Sequence, residues 1–468
     1  MKARDMSPDA KVPMYEKIGY AFGTTGANFI ITIMSAFLLV YYTNVVGISA
    51  GKVATIMGIT KIFDGVSDLL MGYLVDHTKS KYGKARPWYI RMIIPTVVCT
   101  ILMFSVPTDC TVAFQLGYVF ITYNLCMTIC ITACSVANGA LNGLMTMRQA
   151  DRGINGGLGM LFGVIIGIIV NSTVLQITSA VGNGDPYTQK GWSVMIIIYM
   201  IPYTVCSIIG FLTTKERVTQ AQRTGLVEDE KKEDTVKAGK ALKILIHNKY
   251  WLMFIILMLF VSYMQLSASM SNVYYAQYIL GDVYLYTPLG NFNSILALVG
   301  AVGGLILMGK FKKRNLLLCA ASSLLVGTLL PALSARLPVL YIASSLKGFG
   351  TGLAACVLPG MLQDTLTYSE WKDGHNVVGM GTAAYGFCNK IGGSLGTILL
   401  GWMLEVGGFE ASLEVQPASA LASINMLYIW IPAIAVFLTL IVTIKYDLDN
   451  IYDKISAELT ERMRLAEK

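Results

Sequence analysis

Lys61-Ile-Phe-Asp64-Gly-Val-Ser67-Asp68-Leu-Leu-Met-Gly72-Tyr-Leu-Val-Asp76 is the stretch on which the reading of this chain turns. It lies in a long apolar run over about 51–75, long enough to cross a bilayer at about 1.5 Å per residue. Asp64 and Asp68 are four apart and share one helix face, and Lys61 stands one turn before Asp64 on nearly the same stripe. Gly65 and Gly72 let another helix come close. A charge at bilayer depth costs about 2.5–3.5 kcal/mol on an insertion scale, so the pair faces protein or a watery cavity. Two carboxylates there offer hard oxygen ligands to a sodium ion, or a place for a proton. The plainer reading is an internal salt bridge from Lys61 to Asp64. That bridge leaves Asp68 without a partner, so the cation site is the stronger expectation.

Composition agrees with a membrane protein. Of 468 residues 54% are hydrophobic and 14% charged, with a mean hydropathy of +0.59, against about 25% charged residues in soluble domains. The net charge of +8 is no nucleic-acid signal, because the basic residues follow alternate connections. The expected partners are a small solute and membrane lipid. No cleavable leader is expected, since residues 1–17 are polar and carry Pro8 and Pro13. Cys126, Cys130 and Cys134 form a helical stripe that reads as packing. The histidines, His77, His247 and His375, all fall near expected helix ends. A histidine-based metal or catalytic site is therefore not expected, nor is an enzyme.

About twelve spans are read, near 18–44, 51–76, 89–106, 113–145, 153–180, 192–214, 247–279, 289–309, 315–333, 339–367, 376–406 and 421–444. Lysines and arginines gather at the N-terminus, at Lys79-Lys81-Lys84-Arg86, at Arg148-Arg152, over 215–249, at Lys310-Lys312-Lys313-Arg314, at Lys372 and in the tail. The positive-inside rule then puts both termini in the cytoplasm. The hydrophilic segment 215–246 splits the spans six and six, which predicts a six-helix half over 1–214, a linker over 215–246, a second half over 247–445 and a tail over 446–468. Asn138-Gly139-Ala-Leu141-Asn142, followed by Thr146, Gly153 and Asn155, has a counterpart in Pro359-Gly360-Met-Leu362-Gln363, followed by Thr367, Gly374 and Asn376. Both signs fit two parallel repeats. In the tail Ile451, Ile455 and Leu459 recur every four residues among charges, as in a short amphipathic helix.

Polar groups inside spans are the other candidates. They are Asn28 with Thr24 and Thr25, then Thr132, Ser135 and Asn138 on one stripe, then Gln265, Asn272, Tyr274, Tyr275 and Tyr278, and finally Lys347, Asp364, Tyr385, Asn389 and Lys390. Amides, hydroxyls and rings around a mid-membrane cavity suit a polyhydroxylated ligand. Each singly also reads as an interhelical hydrogen bond. Lys347 and Lys390 need a counter-charge, from Asp64, Asp68, Asp364 or an anionic group of the substrate. The loop from Asp76 through Lys84, Arg86, Pro87 and Trp88 reads as a latch built on ion pairs.

At these residues the chain resembles the glycoside–pentoside–hexuronide:cation symporters, to which the melibiose permeases belong, within the major facilitator fold. The resemblance rests on Lys17-Ile-Gly-Tyr20-Ala-Phe-Gly23 and Tyr41-Tyr42-Thr43-Asn44-Val-Val-Gly47, on Asp64-x-x-x-Asp68-x-x-x-Gly72, and on Lys81-Tyr-Gly83-Lys84-x-Arg86-Pro87-Trp88. It continues through Gly139-Ala140-Leu141, Thr214-Lys215-Glu216-Arg217-Val218, Asp364-x-x-x-Tyr368-x-Glu370-Trp371-Lys372-x-Gly374, and Lys390 with Gly392 and Gly396. The resemblance implies an all-α carrier of two six-helix halves that imports a sugar with sodium or a proton by alternating access, without a further cofactor. It implies a cation site of Asp64 and Asp68 with oxygens from Ser67 and Thr132, and makes Lys390 the link between cation and sugar. Asn28, Lys61, Ser135, Asn138, Asn272, Tyr275 and Lys390 are the expected sugar contacts, and Asp76, Lys84, Arg86, Asp364 and Lys390 the expected coupling and gating residues. The carboxylates that hold galactosides in melibiose permeases are replaced, at positions falling on Asn28 and Ser135; the stacking tryptophan is replaced by Gly139, the binding arginine by Met160, and a further arginine by Asn376. A different sugar follows: a pentoside, another glycoside or a hexuronide. A monomer in the cytoplasmic membrane is expected. The same scaffold carrying lysolipids is the runner-up; a membrane-embedded enzyme and a transporter-like sensor are more distant rivals.

Overall fold

Apolar stretches of this length satisfy their backbone in a bilayer by forming helices. The computed structural model describes residues 11–218, 238–308, 310–375, 377–413, 415–452, 454–455, 457–459 and 461. The spans are α1 (Met14–Val45), α2 (Ala50–Asp76), α3 (Arg86–Arg91 and Ile93–Met103), α4 (Val112–Met145), α5 (Gln149–Val181) and α6 (Gln189–Thr213). After a short helix, Ala238–His247, come α7 (Lys249–Ile279), α8 (Tyr286–Leu307), α9 (Lys313–Leu333), α10 (Leu337–Asp373), α11 (Val378–Val406) and α12 (418–445). Among the described residues nine of these are apolar enough to span on length and composition alone. The others are α2, with Lys61, Asp64 and Asp68 in its middle, α3, broken at Met92, and α11, with Asn389 and Lys390 at its centre.

The boundaries differ from expectation mainly at the basic end, where the Lys- and Arg-rich connections lie. There α10 runs on to Asp373 instead of stopping near 367, and Gly374, at φ 68°, ends it in the left-handed region. At the matched point α4 has already ended, with Thr146 extended at φ −163°, so the Thr146–Thr367 correspondence does not extend to local structure. The first helix of each half closes on a five-residue π turn, Tyr41–Val45 in α1 and Tyr275–Ile279 in α7. The expected linker is a helix over Ala238–His247, and 219–237 lie outside the described residues.

The two six-helix halves meet along α2 with α11, α5 with α8 and α1 with α7. Advancing by six turns the first pairing into the second, the relation that two parallel repeats produce. Small residues bring α2 and α11 together: a Cβ at Gly401 would stand 2.1 Å from Ala54 Cβ and 2.5 Å from the Ala50 carbonyl. Away from the basic end the halves are stitched by hydrogen bonds. Thr43 bonds Tyr274 at 2.9 Å, and Asn44 donates to Gln277 at 3.2 Å and to Tyr278 at 2.9 Å. Tyr286 donates to Asn171 Oδ1 at 2.8 Å, Thr287 to the Asn171 carbonyl at 2.8 Å, and Asn291 to Ser172 at 2.8 Å.

At the basic end the polar contacts described stay within one half. Arg217 meets Glu16 through both terminal nitrogens at 2.8 Å, and Lys17 meets Asp151 at 2.5 Å, all fully buried. Glu216 accepts from the backbone N–H groups of Lys84, Ala85 and Arg86 at 2.8–2.9 Å. Its carboxylate fills the space where a Cβ on Gly83 (φ 108°) would stand. In the second half the tail packs on α9 and α10: Asp449 accepts from the Arg314 N–H at 2.7 Å, Trp371 donates to Glu458 at 2.7 Å, and Ile455 is 1% exposed. Of the amphipathic spacing, Ile455 and Leu459 pack on the second half, while Ile451 is 38% exposed.

Candidate functional site

The local structure of α4 sets the site. Over Asn124–Ile131 the helix widens to π turns, a device that rotates side chains and is common at functional positions. It brings Thr128 against α2. Thr128 Oγ1 donates to Asp64 Oδ1 at 2.5 Å, and Ser67 Oγ donates to the Thr128 carbonyl. Asn124 lies 3.5 Å from the Thr128 hydroxyl through Oδ1 and donates to Thr60 at 3.0 Å. The Asp64 carboxylate thus meets the Thr128 hydroxyl, and the Ser67 hydroxyl, the Thr128 carbonyl and the Asn124 amide oxygen gather around Thr128, a set of hard oxygen donors of the kind hard cations take. Thr132, expected in this place, donates instead to the Met127 carbonyl at 3.3 Å. Thr128, one turn away at a spacing that regular helix geometry also puts on this face, was passed over because the expectation for this place rested on the resemblance and not on the spacing.

Asp68 has a different partner. Lys390 Nζ of α11 forms an ion pair with Asp68 Oδ2 across the interface between the halves. Both side chains keep some access to solvent, 28% for Lys390 and 43% for Asp68. Lys61 is not bridged to Asp64; its ammonium donates to Thr397 of α11 at 3.2 Å. The two aspartates are therefore unequal. One carries the counter-charge of the other half, and the other is held by a neutral hydroxyl.

A cavity of about 110 Å³ lies between α1 and α4. Asn28 and Ser135 line it, and among the described residues neither side chain has a hydrogen bond, which leaves both for a ligand. Asn138 also lines it but is engaged, accepting from Tyr89 at 2.5 Å and donating to Thr24 at 2.8 Å. Asn272 is partly exposed on α7, whereas Tyr275 is 2% exposed and stacked on Tyr428 of α12 at 3.9 Å. Tyr275 is thus no open platform for a sugar ring. Asp364 does not meet Lys347 or Lys390; Lys313 of α9 holds it at 2.6 Å near the basic end. Arg86 donates to the Phe211 carbonyl at 2.6 Å and to the Tyr82 carbonyl at 3.2 Å, while the Lys84 and Arg86 N–H groups go to Glu216. The loop after α2 is thereby tied within its own half. The Asp76 side chain and Asn376 lie outside the described residues.

The MFS/sugar transport protein family matches residues 19–450. The isoprimeverose transporter of Lactiplantibacillus pentosus is 27% identical over 96% of this chain and 92% of its own length. The putative glycoside/cation symporter YagG of Escherichia coli (strain K12) is 25% identical over 91% and 90%. The glucuronide carrier protein homolog of the same strain is 24% identical over 96% of both. Among solved structures, that of a D-xylose–proton symporter superposes with a TM-score of 0.65 at 13% identity, covering 92% of this chain and 97% of that one. The fold is therefore the major facilitator fold, and a match over nearly the whole length leaves one conclusion: this chain is a multi-span membrane transporter that belongs to the MFS/sugar transport protein family, the group of glycoside/cation symporters.

Proposed function

We propose that the chain imports a glycoside, pentoside or hexuronide together with sodium or a proton, by rocking its halves, 1–214 and 247–445, around a site between them. The observation that carries this reading is the unequal partnering of the two aspartates. Asp64 meets the Thr128 hydroxyl of α4, around which further hydroxyl, amide and carbonyl oxygens gather, and Asp68 holds Lys390 of the opposite half. A cation that settles on the carboxylates competes with Lys390, and the displaced ammonium becomes a donor for a sugar hydroxyl. Cation and sugar then favour the same arrangement, which is what coupling requires. One charge moving down 100 mV supplies about 2.3 kcal/mol, enough for roughly fifty-fold accumulation of a neutral solute. The positive-inside rule applied to the basic connections supports reading both termini as cytoplasmic. With the halves joined by hydrogen bonds away from the basic end, the structure is read as the form open to the cytoplasm. The test is uptake by proteoliposomes of labelled pentosides, hexosides and glucuronides under an inward sodium gradient at constant pH, and separately under a proton gradient. Concentrative uptake that Asp64→Asn and Asp68→Asn each abolish is expected. Unchanged accumulation in both variants would remove the cation site.

A further inference from the structure

On α2, α10 and α11 the charges that lie about 15–27 Å from the sealed end do not balance. At about 1.5 Å per residue, Lys61 and Lys347 lie roughly 15 Å from the ends of α2 and α10 that face away from the basic loops, and Asp64, Asp68 and Lys390 lie about 20–27 Å in. Among the described residues of these three helices, three lysines thus face two aspartates at that depth before any coupling ion arrives. Lys390 has Asp68, while among the described residues the Lys61 ammonium forms a hydrogen bond to the Thr397 hydroxyl and no ion pair. Asp364 lies about 40 Å along α10, beyond the hydrocarbon core, and is neutralised by Lys313. Lys347 is left over. Among the described residues no carboxylate forms an ion pair with it. Its ammonium stands 3.9 Å from the centroid of the Tyr428 ring, which is braced from behind by Tyr275 at 3.9 Å and 19°. A ring face contributes about 0.5–2 kcal/mol to a cation, less than the several kcal/mol that removing a charge from water costs. Lys347 keeps partial exposure and the aromatic pair holds its ammonium from one side, so the negative charge it lacks has to come from a ligand. A coupling cation deepens the imbalance by one further positive charge.

Resting on the symport reading, we infer that the transported glycoside is acidic and that Lys347 receives its carboxylate or sulfonate below the sealed end. The shared chemistry is a sugar-borne anion; a uronic acid and a sulfonated sugar are its two sources. The test uses the full-length protein in proteoliposomes, with uptake driven by whichever of a sodium or proton gradient is active. Labelled methyl glucuronide, methyl glucoside and methyl glucuronamide are compared, with a methyl 6-sulfo-glycoside as the second acid. Wild type should take up one or both acids at least about tenfold better than the glucoside and the neutral amide, a comparison that needs no variant to fold. Lys347→Gln should lose that preference, and Lys347→Arg should keep part of it. Equal or better uptake of the neutral glycosides by wild type, unchanged in Lys347→Gln, would overturn the inference and leave symport standing. No accumulation of these acids under either gradient, with accumulation of a neutral pentoside or hexoside, would likewise overturn the inference alone, whereas no accumulation of any of these or of the pentosides, hexosides and glucuronides of the uptake test would remove the symport reading and the inference with it.

Discussion

Lys390→Gln should make the protein bind its coupling ion more tightly while it loses accumulation. In the structure the ion must displace the Lys390 ammonium from Asp68 Oδ2. Two unit charges about 4 Å apart attract by about 4 kcal/mol at an effective dielectric near 20, and fully exposed pairs contribute about 0–1 kcal/mol. With 28% and 43% of the side chains accessible, this pair falls between, near 1–2 kcal/mol, or about 5- to 30-fold in affinity. The assay is the coupling-ion concentration that half-saturates the rise in thermal stability of the purified protein, titrated with sodium at constant pH and with pH at constant sodium. The gain follows linkage, so tighter binding moves the titration to lower ion concentration. Glutamine removes the charge and keeps a polar side chain one atom shorter. A half-saturating concentration equal to or above wild type would refute the idea that lysine and ion compete for Asp68.

Thr128→Val removes the hydroxyl that holds Asp64 at 2.5 Å and should weaken coupling-ion binding at least about fivefold, whereas Thr128→Ser should not; equal loss in both would point to packing instead. Asn171→Ala strips the buried Tyr286 hydroxyl of its acceptor, a cost of about 1–3 kcal/mol borne by the form joined at that contact. Distances between spin labels at Lys79→Cys and Lys372→Cys should shorten in the variant, and an unchanged distribution would exclude this contact as a latch. Glu16→Gln leaves buried Arg217 without its carboxylate and should destabilise by about 3–5 kcal/mol, seen as a lower melting temperature in detergent. Asn138→Ala should cost stability through Tyr89 and Thr24; a raised KM with no loss of stability would restore it as a sugar contact.

The candidate site was legible where chemistry is costly and obscure where geometry decides. Asp64, Asp68 and Lys390 stand out in any apolar run, because charge in a bilayer demands a reason. Which acid takes the lysine does not follow from spacing, since Lys390 lies over 300 positions away and only the packing of α2 on α11 selects Asp68. Thr128, and not the Thr132 implied by the resemblance, meets Asp64, a choice between two hydroxyls one turn apart that only the packing of α4 on α2 makes. Asn28 and Ser135 look like Asn138 in the sequence, yet only the third is occupied by Tyr89 and Thr24. Tyr275, expected at the sugar, lies behind Tyr428.

The sequence alone determined a helical membrane protein with basic connections on one side and buried carboxylates on its second span. Hydropathy, charge placement and the absence of backbone partners in lipid are properties of short stretches, and they leave few other solutions. The tertiary structure decided the partners: Lys390 with Asp68, Lys313 with Asp364, Glu216 with the loop after α2, and Lys347 with an aromatic face in place of an acid. Those choices depend on which helices lie against one another and at what depth. Long-range packing fixes that, and no local pattern encodes it.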